Sequence, residues 1–523
     1  MRAPIRSGEC LVLPTSCHSV VETIACNRAT LDGAETFLDS EPLSEWRKRS
    51  RTSLIEMAQA YSSQYLASCQ IEAIEAGLDF ESAPLVMAGH QPTLFHPGVW
   101  FKNFYLSEVS QKAAGLAINL IVDNDLAPAS AVLVPKIDND QAWFQSIAFD
   151  RPGPAVSFEE RPVVDVNFFR TFPERLKSVF PSGSRLLVDD LWKYAGNVQS
   201  SEPLGNVVAR MRHRLECDFG LRTLELPLSH VCRLPAFSAF VKCLIERAGE
   251  FSSIYNESLD QFRQLNGIRS ISHPVPDLVS ENGWFELPFW IWSKSHPSRS
   301  RLFVRIQGET ATIGNLSTIN LDVNLQQFHE QFETFRAQGI AIRPKALMTT
   351  AFARMLLSDY FIHGIGGAKY DELTDVILER FFGISAPRFG TATATIRLHD
   401  VSPSGLSNDL RDARAMLRAM RYHPEQFVDR TDSVLAEAVI RKEAIVEDIH
   451  QQGTSLERHQ KIAAANAVLV NALDLGIVSQ EKSICNLERE LAQSRVLGSR
   501  EVSIACFQPK LLDELSTLAK SVC

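Results

Sequence analysis

The alternation of apolar and polar positions changes rhythm several times along the 523 residues. From Leu43 to Glu75 the chain is rich in Ala, Ser, Leu, Glu and Gln without Pro or Gly, which predicts one or two helices. The short apolar run Pro84 to Ala88 stops at Gly89 and reads as a buried parallel strand. Pro97-Gly98 breaks the chain. Val99 to Ala113, with Trp100, Phe104, Leu106 and Val109 among polar residues, then predicts a helix with Pro97 near its first turn. Ala117 to Val122 is a second apolar strand, ended by Asp123-Asn124-Asp125.

The next 200 or so residues are mixed. Ala131 to Pro135 is strand-like, while Phe168 to Phe180 and Asn206 to Cys217 read as helical. Phe237 to Asp260, extending toward Leu265, reads as one long helix. Trp284 to Trp292 and Arg301 to Ile313 read as strands, the latter folding into a hairpin around Gln307-Gly308-Glu309. Ala346 to Thr349 is strand-like, Ala351 to Asp359 helical, and Tyr370 to Phe382 an amphipathic helix stopped by Gly383. From Ser407 to Gln493 Gly and Pro become rare. Leu435, Val439, Val446 and Ile449 recur at helical spacing, which predicts long antiparallel helices broken near Gln452-Gly453-Thr454 and Leu475-Gly476.

These rhythms predict an α/β protein with a Rossmann-like parallel-sheet core, insertions, and a C-terminal helical, coiled-coil-like arm. The expected divisions are an N-terminal helical segment (1–80), a first half of the core (81–135), an inserted mixed region (136–335), a second half of the core (336–402) and the arm (403–523). Composition narrows the classes. Hydrophobic residues at 45% and charged residues at 22% are ordinary for a globular chain. The net charge of −9 argues against a nucleic-acid partner. No apolar run approaches the roughly 18 residues of a membrane span, and Met1 to Val20 lacks the apolar stretch of a secretory signal, so a cytoplasmic protein is expected. The 10 Cys contain no C-x-x-C pair and read as reduced thiols, not as a zinc site.

Three clusters carry candidate chemistry. The first follows the first predicted strand: Gly89, His90, Gln91, Pro92, His96, Gly98, Lys102 and Asn103. Ligands of open parallel sheets bind at the carboxyl ends of strands, and a helix start presents free N–H groups to an anion. His90, His96 and Lys102 are candidates to hold phosphate oxygens. The second cluster, Asp123 and Asp125, ends the next strand and is placed to orient an acceptor, a ribose or a magnesium ion. The third, Gly364, Gly366, Gly367 and Lys369, lets a backbone approach a ligand closely before a helix. It is neither G-x-G-x-x-G nor a Walker loop. A resident metal site is not expected.

Two of these segments together resemble the cysteine-adding enzymes of bacillithiol synthesis. Val86 to Phe95, with Pro97 and Lys102 following, is similar to their Gly-Gln-Gln-Pro-x-Leu-Phe segment. Arg343-Pro344 followed by Ile365-Gly366-Gly367 and a helix is similar to their second core segment. The matched positions are Gly89, Gln91, Pro92, Lys102, Gly366 and Gly367. The resemblance implies a core of the class I synthetase and nucleotidyltransferase type, ATP or ADP as nucleotide, a homodimer through the arm, and addition of cysteine to an amino-sugar conjugate. Two departures point to a divergent relative acting on another small amine or acid. His90 stands where the family has a second Gln, and Asp123-Asn124-Asp125 lacks the family's central His. The expected function is therefore a nucleotide-dependent ligase or transferase. The alternatives are a non-catalytic nucleotide-binding or scaffold protein of the same fold, and a sugar-pathway enzyme of the WbqC-like type, whose His-Gln-Pro segment is similar.

Overall fold

The computed structural model describes residues 2–138, 141–270, 272–401, 404–447 and 455–523. They form two compact units: Met1–Val134, Ser146–Ile396 and Arg500–Cys523 in one, Pro135–Gln145 and Arg397–Ser499 in the other.

The first unit is built on a six-stranded sheet. Its strands in chain order are β1 (Glu9–Leu13), β2 (Leu85–His90), β3 (Leu116–Ile121), β4 (Leu224–Pro227), β5 (Tyr360–His363) and β6 (Gly390–Thr395). They lie side by side in the order β1-β6-β5-β2-β3-β4. All neighbours are parallel except β1, which runs antiparallel along β6 with Cys10 opposite Ala394. β3 and β6 are buried along their whole length, as strands covered on both faces must be. The five parallel strands, numbered by appearance, run 5-4-1-2-3 across the sheet, which is the doubly wound order of a Rossmann-like core. The chain leaves β2 toward one edge and later returns to β5 on its other side. The switch point therefore lies between β2 and β5.

Several expectations need correction. The N-terminal segment carries a sheet strand, β1, besides its helices. The 136–335 region is not wholly an insertion, because β4 extends the main sheet beside β3. Ala346 to Thr349 is helical, in Ala346–Phe352, while the strand lies just before it at Ile340–Pro344. A four-residue apolar run does not distinguish strand from buried helix. The long helix expected over 237–265 is two, Pro235–Glu246 and Ala248–Leu265, broken at Arg247.

A second, antiparallel sheet packs into the same hydrophobic core. It runs Asn320–Asn324, Thr310–Gly314, His296–Gln307, Trp284–Ser293, Ile340–Pro344, with the hairpin at Gly308 (φ +64°) where a left-handed turn is required. A buried carboxylate ties elements of the first unit together. Asp359, just before β5, accepts from Arg47 Nη2 (3.1 Å), Arg51 Nη1 (2.8 Å) and the first amide of β2, Leu85 (2.8 Å).

In the second unit, helices Ser404–Tyr422 and Asp474–Leu497 pack together around Leu410, Ile484 and Leu491. Ser433–Glu447 packs along Ser455–Ala472. The break expected near Leu475-Gly476 falls between Ala472 and Asp474, with a bend of 79°. Ile449 and the expected break at Gln452-Gly453-Thr454 lie outside the described residues. The arm ends before residue 500. The last segment belongs to the first unit, where the helix Leu511–Ser521 packs on the Pro97–Lys112 helix. Among the described residues no single helix is long and apolar enough to cross a membrane.

Candidate functional site

At the switch point lies a cavity of about 450 Å³, within the range of small-molecule sites, about 300–1,000 Å³. Both strand-to-helix junctions singled out in the sequence open into it. Gly89, His90, Gln91, His96, Gly98 and Lys102 line it from β2 and the following helix, and Gly364, Gly366 and Gly367 from β5 and its helix.

The first junction is held rigidly. His96 caps the helix Pro97–Lys112, its Nδ1 accepting from the Gly98 amide (3.1 Å), and Pro97 occupies the first helical position, where it has no amide to lose. Gly98 is pressed against β6. A Cβ there would lie 2.2 Å from the Ala394 carbonyl oxygen and 2.6 Å from Arg500 Nη2. Arg500 is fixed at this point by donating to Thr393 Oγ1 (3.1 Å) and the Ala394 carbonyl (3.2 Å). The neighbouring Glu501 sits 3.3 Å from His96 Nε2. With both ring nitrogens facing groups of the chain, His96 serves as a helix cap in the cavity wall, not as the free phosphate donor expected.

One turn further along the helix, Lys102 is only 3% exposed, and its ammonium donates to the Gly89 carbonyl. Burial, with Arg212 nearby, lowers its pKa to about 7. His90, at the end of β2, donates from Nδ1 to the Gln91 carbonyl (3.1 Å) and stands edge-on to Phe95. Burial, reinforced by Lys102, lowers its pKa to about 3, so the ring is neutral at physiological pH. Burial, and then Arg500, bring His96 to about 4.

The second junction differs from expectation. The helix begins at Ile365, not Tyr370, with Gly364 as its cap (φ −78°, ψ 168°), so Gly366 and Gly367 lie inside the first helical turn. The first amides of a helix have no intrahelical acceptor, and here Gly364, Ile365, Gly366 and Gly367, which carry them, line the cavity. A Cβ on Gly364 or Gly366 would meet nothing within 4 Å. On Gly367 it would lie 3.0 Å from His363 Nδ1.

His363 is not one of the expected site residues. It lines the cavity at 5% exposure, with Nε2 2.9 Å from Asp371 Oδ2. Asp371 also accepts from Thr350 Oγ1 (2.7 Å) and pairs with Arg354. Burial alone would raise this carboxyl, but His363, then Arg354 and Thr350, hold it well below the usual carboxylate range. The available signal was spacing: a His closes the strand, and an Asp follows eight residues later, about two helical turns along. Arg500 and Glu501 had no local signal, lying over a hundred residues from any other lining residue.

Five expected residues lie outside the cavity lining. Asp123 is fully buried, and its two oxygens accept from the Ser229 amide and hydroxyl. Burial, with Glu159 close by, raises its pKa to about 7. It therefore serves the turn after β4, not an acceptor or magnesium ion. Asp125 accepts from Gln91 Nε2 (3.0 Å) and Arg299 Nη1 (3.1 Å), so it orients a lining residue from behind. Asn103 donates to Glu216 Oε1 (2.8 Å) inside a buried polar network that includes Trp100, Arg212 and Glu225. Pro92 is buried against Gly205, and Lys369 is exposed to solvent.

The arrangement combines the helix start after β5, a buried ammonium and Arg500 around one space, which suits an anion, while the first amides of the Pro97–Lys112 helix are taken up by His96. Glu501 is the carboxylate in that lining, and among the described residues no cluster of three or more His, Cys, Asp or Glu side chains is placed to hold a metal ion. Compared with known proteins, the chain matches no protein-family model and no curated protein.

Proposed function

We propose that the chain is a nucleotide-dependent ligase or transferase, a divergent relative of the cysteine-adding enzymes with a class I synthetase-type core, acting on a small amine or acid. One observation carries this reading: both glycine-bearing junctions and the buried Lys102 meet in a single cavity at the switch point of the sheet. Phosphates of ATP or ADP fit the donor set there. Gly364 and Gly366 leave room for backbone approach, the helix start after β5 supplies amides, and Lys102 and Arg500 supply positive charge. Catalysis of this kind rests on positioning and electrostatics. Any magnesium would arrive with the nucleotide, since Asp123 and Asp125 are committed to groups of the chain itself.

That commitment favours one rival, a nucleotide-binding protein without chemistry. Calorimetry with ATP and ADP on the full chain tests the first step. Saturable binding at micromolar concentrations that is lost in Lys102→Met supports the site, and identical heats in the two proteins refute it. Conversion of ATP to ADP or AMP in the presence of small amines and acids then separates enzyme from binder. We extend the reading to a cytoplasmic homodimer through the arm, where Val434, Ile440, Leu456 and Leu475 are exposed. Light scattering of the full chain measures the stoichiometry directly, and a monomer at high concentration rejects that extension.

A further inference from the structure

If a nucleotide occupies the cavity, some group near it must take the proton that an amine or hydroxyl acceptor loses on attack. The lining offers three histidines. His96 has one nitrogen bound to the Gly98 amide and the other beside Glu501. His90 spends its Nδ1 on the Gln91 carbonyl, and among the described residues no carboxylate pairs with it. His363 differs from both. Its Nε2 lies 2.9 Å from a buried carboxylate, Asp371, off the line of a formed hydrogen bond, and a small turn of the ring that aligns the two favours the Nε2–H tautomer with a lone pair on Nδ1.

Three features keep that lone pair usable. Nδ1 lies beside Gly367, where any side chain would begin 3.0 Å from it. The adjacent first-turn amides provide a seat for a phosphate within reach of the ring. Asp371 is itself locked by Thr350 and Arg354, so it orients the imidazole and can pair with the imidazolium. Phe361 and Phe389 pack on the ring, with centroids 4.7 and 5.0 Å away, and hold its plane.

We propose that His363 is the proton acceptor of the transfer and that Asp371 is its positioning residue. This rests on the nucleotide reading of the cavity. The acceptor's nitrogen or oxygen forms a bond to a nucleotide phosphorus while the bond from that phosphorus to the leaving phosphate or pyrophosphate oxygen breaks. The electron pair departs on that oxygen. The acceptor's proton passes to His363 Nδ1, and the resulting imidazolium is balanced by Asp371 until the proton leaves to solvent or to the leaving group.

The test uses the full chain with ¹⁵N-labelled histidine, His363→Gln to identify the signal, and ADP as the probe. The wild-type ring is expected in the Nε2–H form, with its Nδ1 signal moving when ADP is added. Asp371→Asn should mix the tautomers and slow ATP turnover about tenfold. His363→Gln should slow it a hundredfold or more, the range of general-base contributions being about 10²–10⁴. Both variants should bind ADP within threefold of wild type. An Nδ1–H ring in the wild type, or His363→Gln turning over ATP within twofold of wild type while ADP still binds, overturns the proton-acceptor role alone. Failure of the wild-type chain to bind ADP overturns the nucleotide reading beneath it. Should Asp371→Asn not fold, the wild-type tautomer and the His363→Gln rate still decide the matter.

Discussion

Lys102→Met keeps the length and volume of the side chain and removes its charge. In the folded protein burial lowers the ammonium's pKa from 10.5 to about 7. At about 1.4 kcal/mol per unit, burying the charged form costs about 5 kcal/mol relative to the unfolded chain. Methionine removes that cost. It also leaves the Gly89 carbonyl without its donor, which costs about 1–2 kcal/mol. The variant should therefore be the more stable protein by about 3 kcal/mol, a Tm rise of about 3–6 °C at pH 6. The pH dependence follows from the direction of the shift. Below about pH 7 the lysine is charged in both states and the whole cost is present. Between about 7 and 10.5 the folded lysine is neutral while the unfolded one still binds its proton, so wild-type stability rises with pH. The advantage of the variant should shrink across that window, vanish near about pH 9 and reverse by about 1–2 kcal/mol at its upper end, where only the unpaired Gly89 carbonyl remains. Other titrating groups cancel in the difference between the two proteins. Thermal unfolding of both at pH 6, 8 and 10 measures it. A variant less stable than wild type at pH 6, or an advantage that does not change with pH, would show that Lys102 is not a costly buried cation kept for a ligand. The same scan with ADP should raise the Tm of wild type and not that of the variant.

Other outcomes follow from the same geometry. Gly98→Ala drives a methyl to 2.2 Å from the Ala394 carbonyl and should destabilise by about 2–3 kcal/mol in a denaturant melt, whereas Gly366→Ala, with open space around it, should leave stability unchanged or slightly higher while weakening ADP binding. A melt in which the two variants lose equal stability refutes this account of the junctions. Asp359→Asn leaves Arg47 and Arg51 without their shared carboxylate beside β2 and should cost about 3–5 kcal/mol, and a loss below about 1 kcal/mol would mean the cluster holds nothing together. At pH 8 a disulfide reagent should modify the exposed Cys26, Cys69 and Cys485 first. Cys217, Cys232 and Cys506 should stay unmodified until unfolding, because burial pushes all three thiols up, Cys506 to about 12. Peptide mapping of the early products checks the order.

Much of the fold was legible because its signals are local. Apolar runs bounded by Gly or Pro located β2 and β3, helical spacing located most of the arm's described helices, and Gly383 ended its helix with φ +69°. The two candidate bends were legible for the same reason, since polar and glycine-rich residues directly follow buried strands. Asp123 and Asp125 misled because a carboxylate after a strand looks alike in sequence whether it faces a ligand or its own backbone. Only the position of Ser229 and Arg299, over a hundred residues away, distinguishes the two.

By itself, then, the order of residues determined which segments become strands and helices and where their chemistry-bearing ends fall. Those outcomes depend on neighbours a few positions apart. Tertiary structure alone decided that β5 returns beside β2, that His363 meets both Asp371 and the cavity, and that Arg500 comes back to the mouth from the far end of the chain. Those placements depend on which buried faces pair across hundreds of residues, and the order of strands in a sheet is set by that packing, not by any short stretch of sequence.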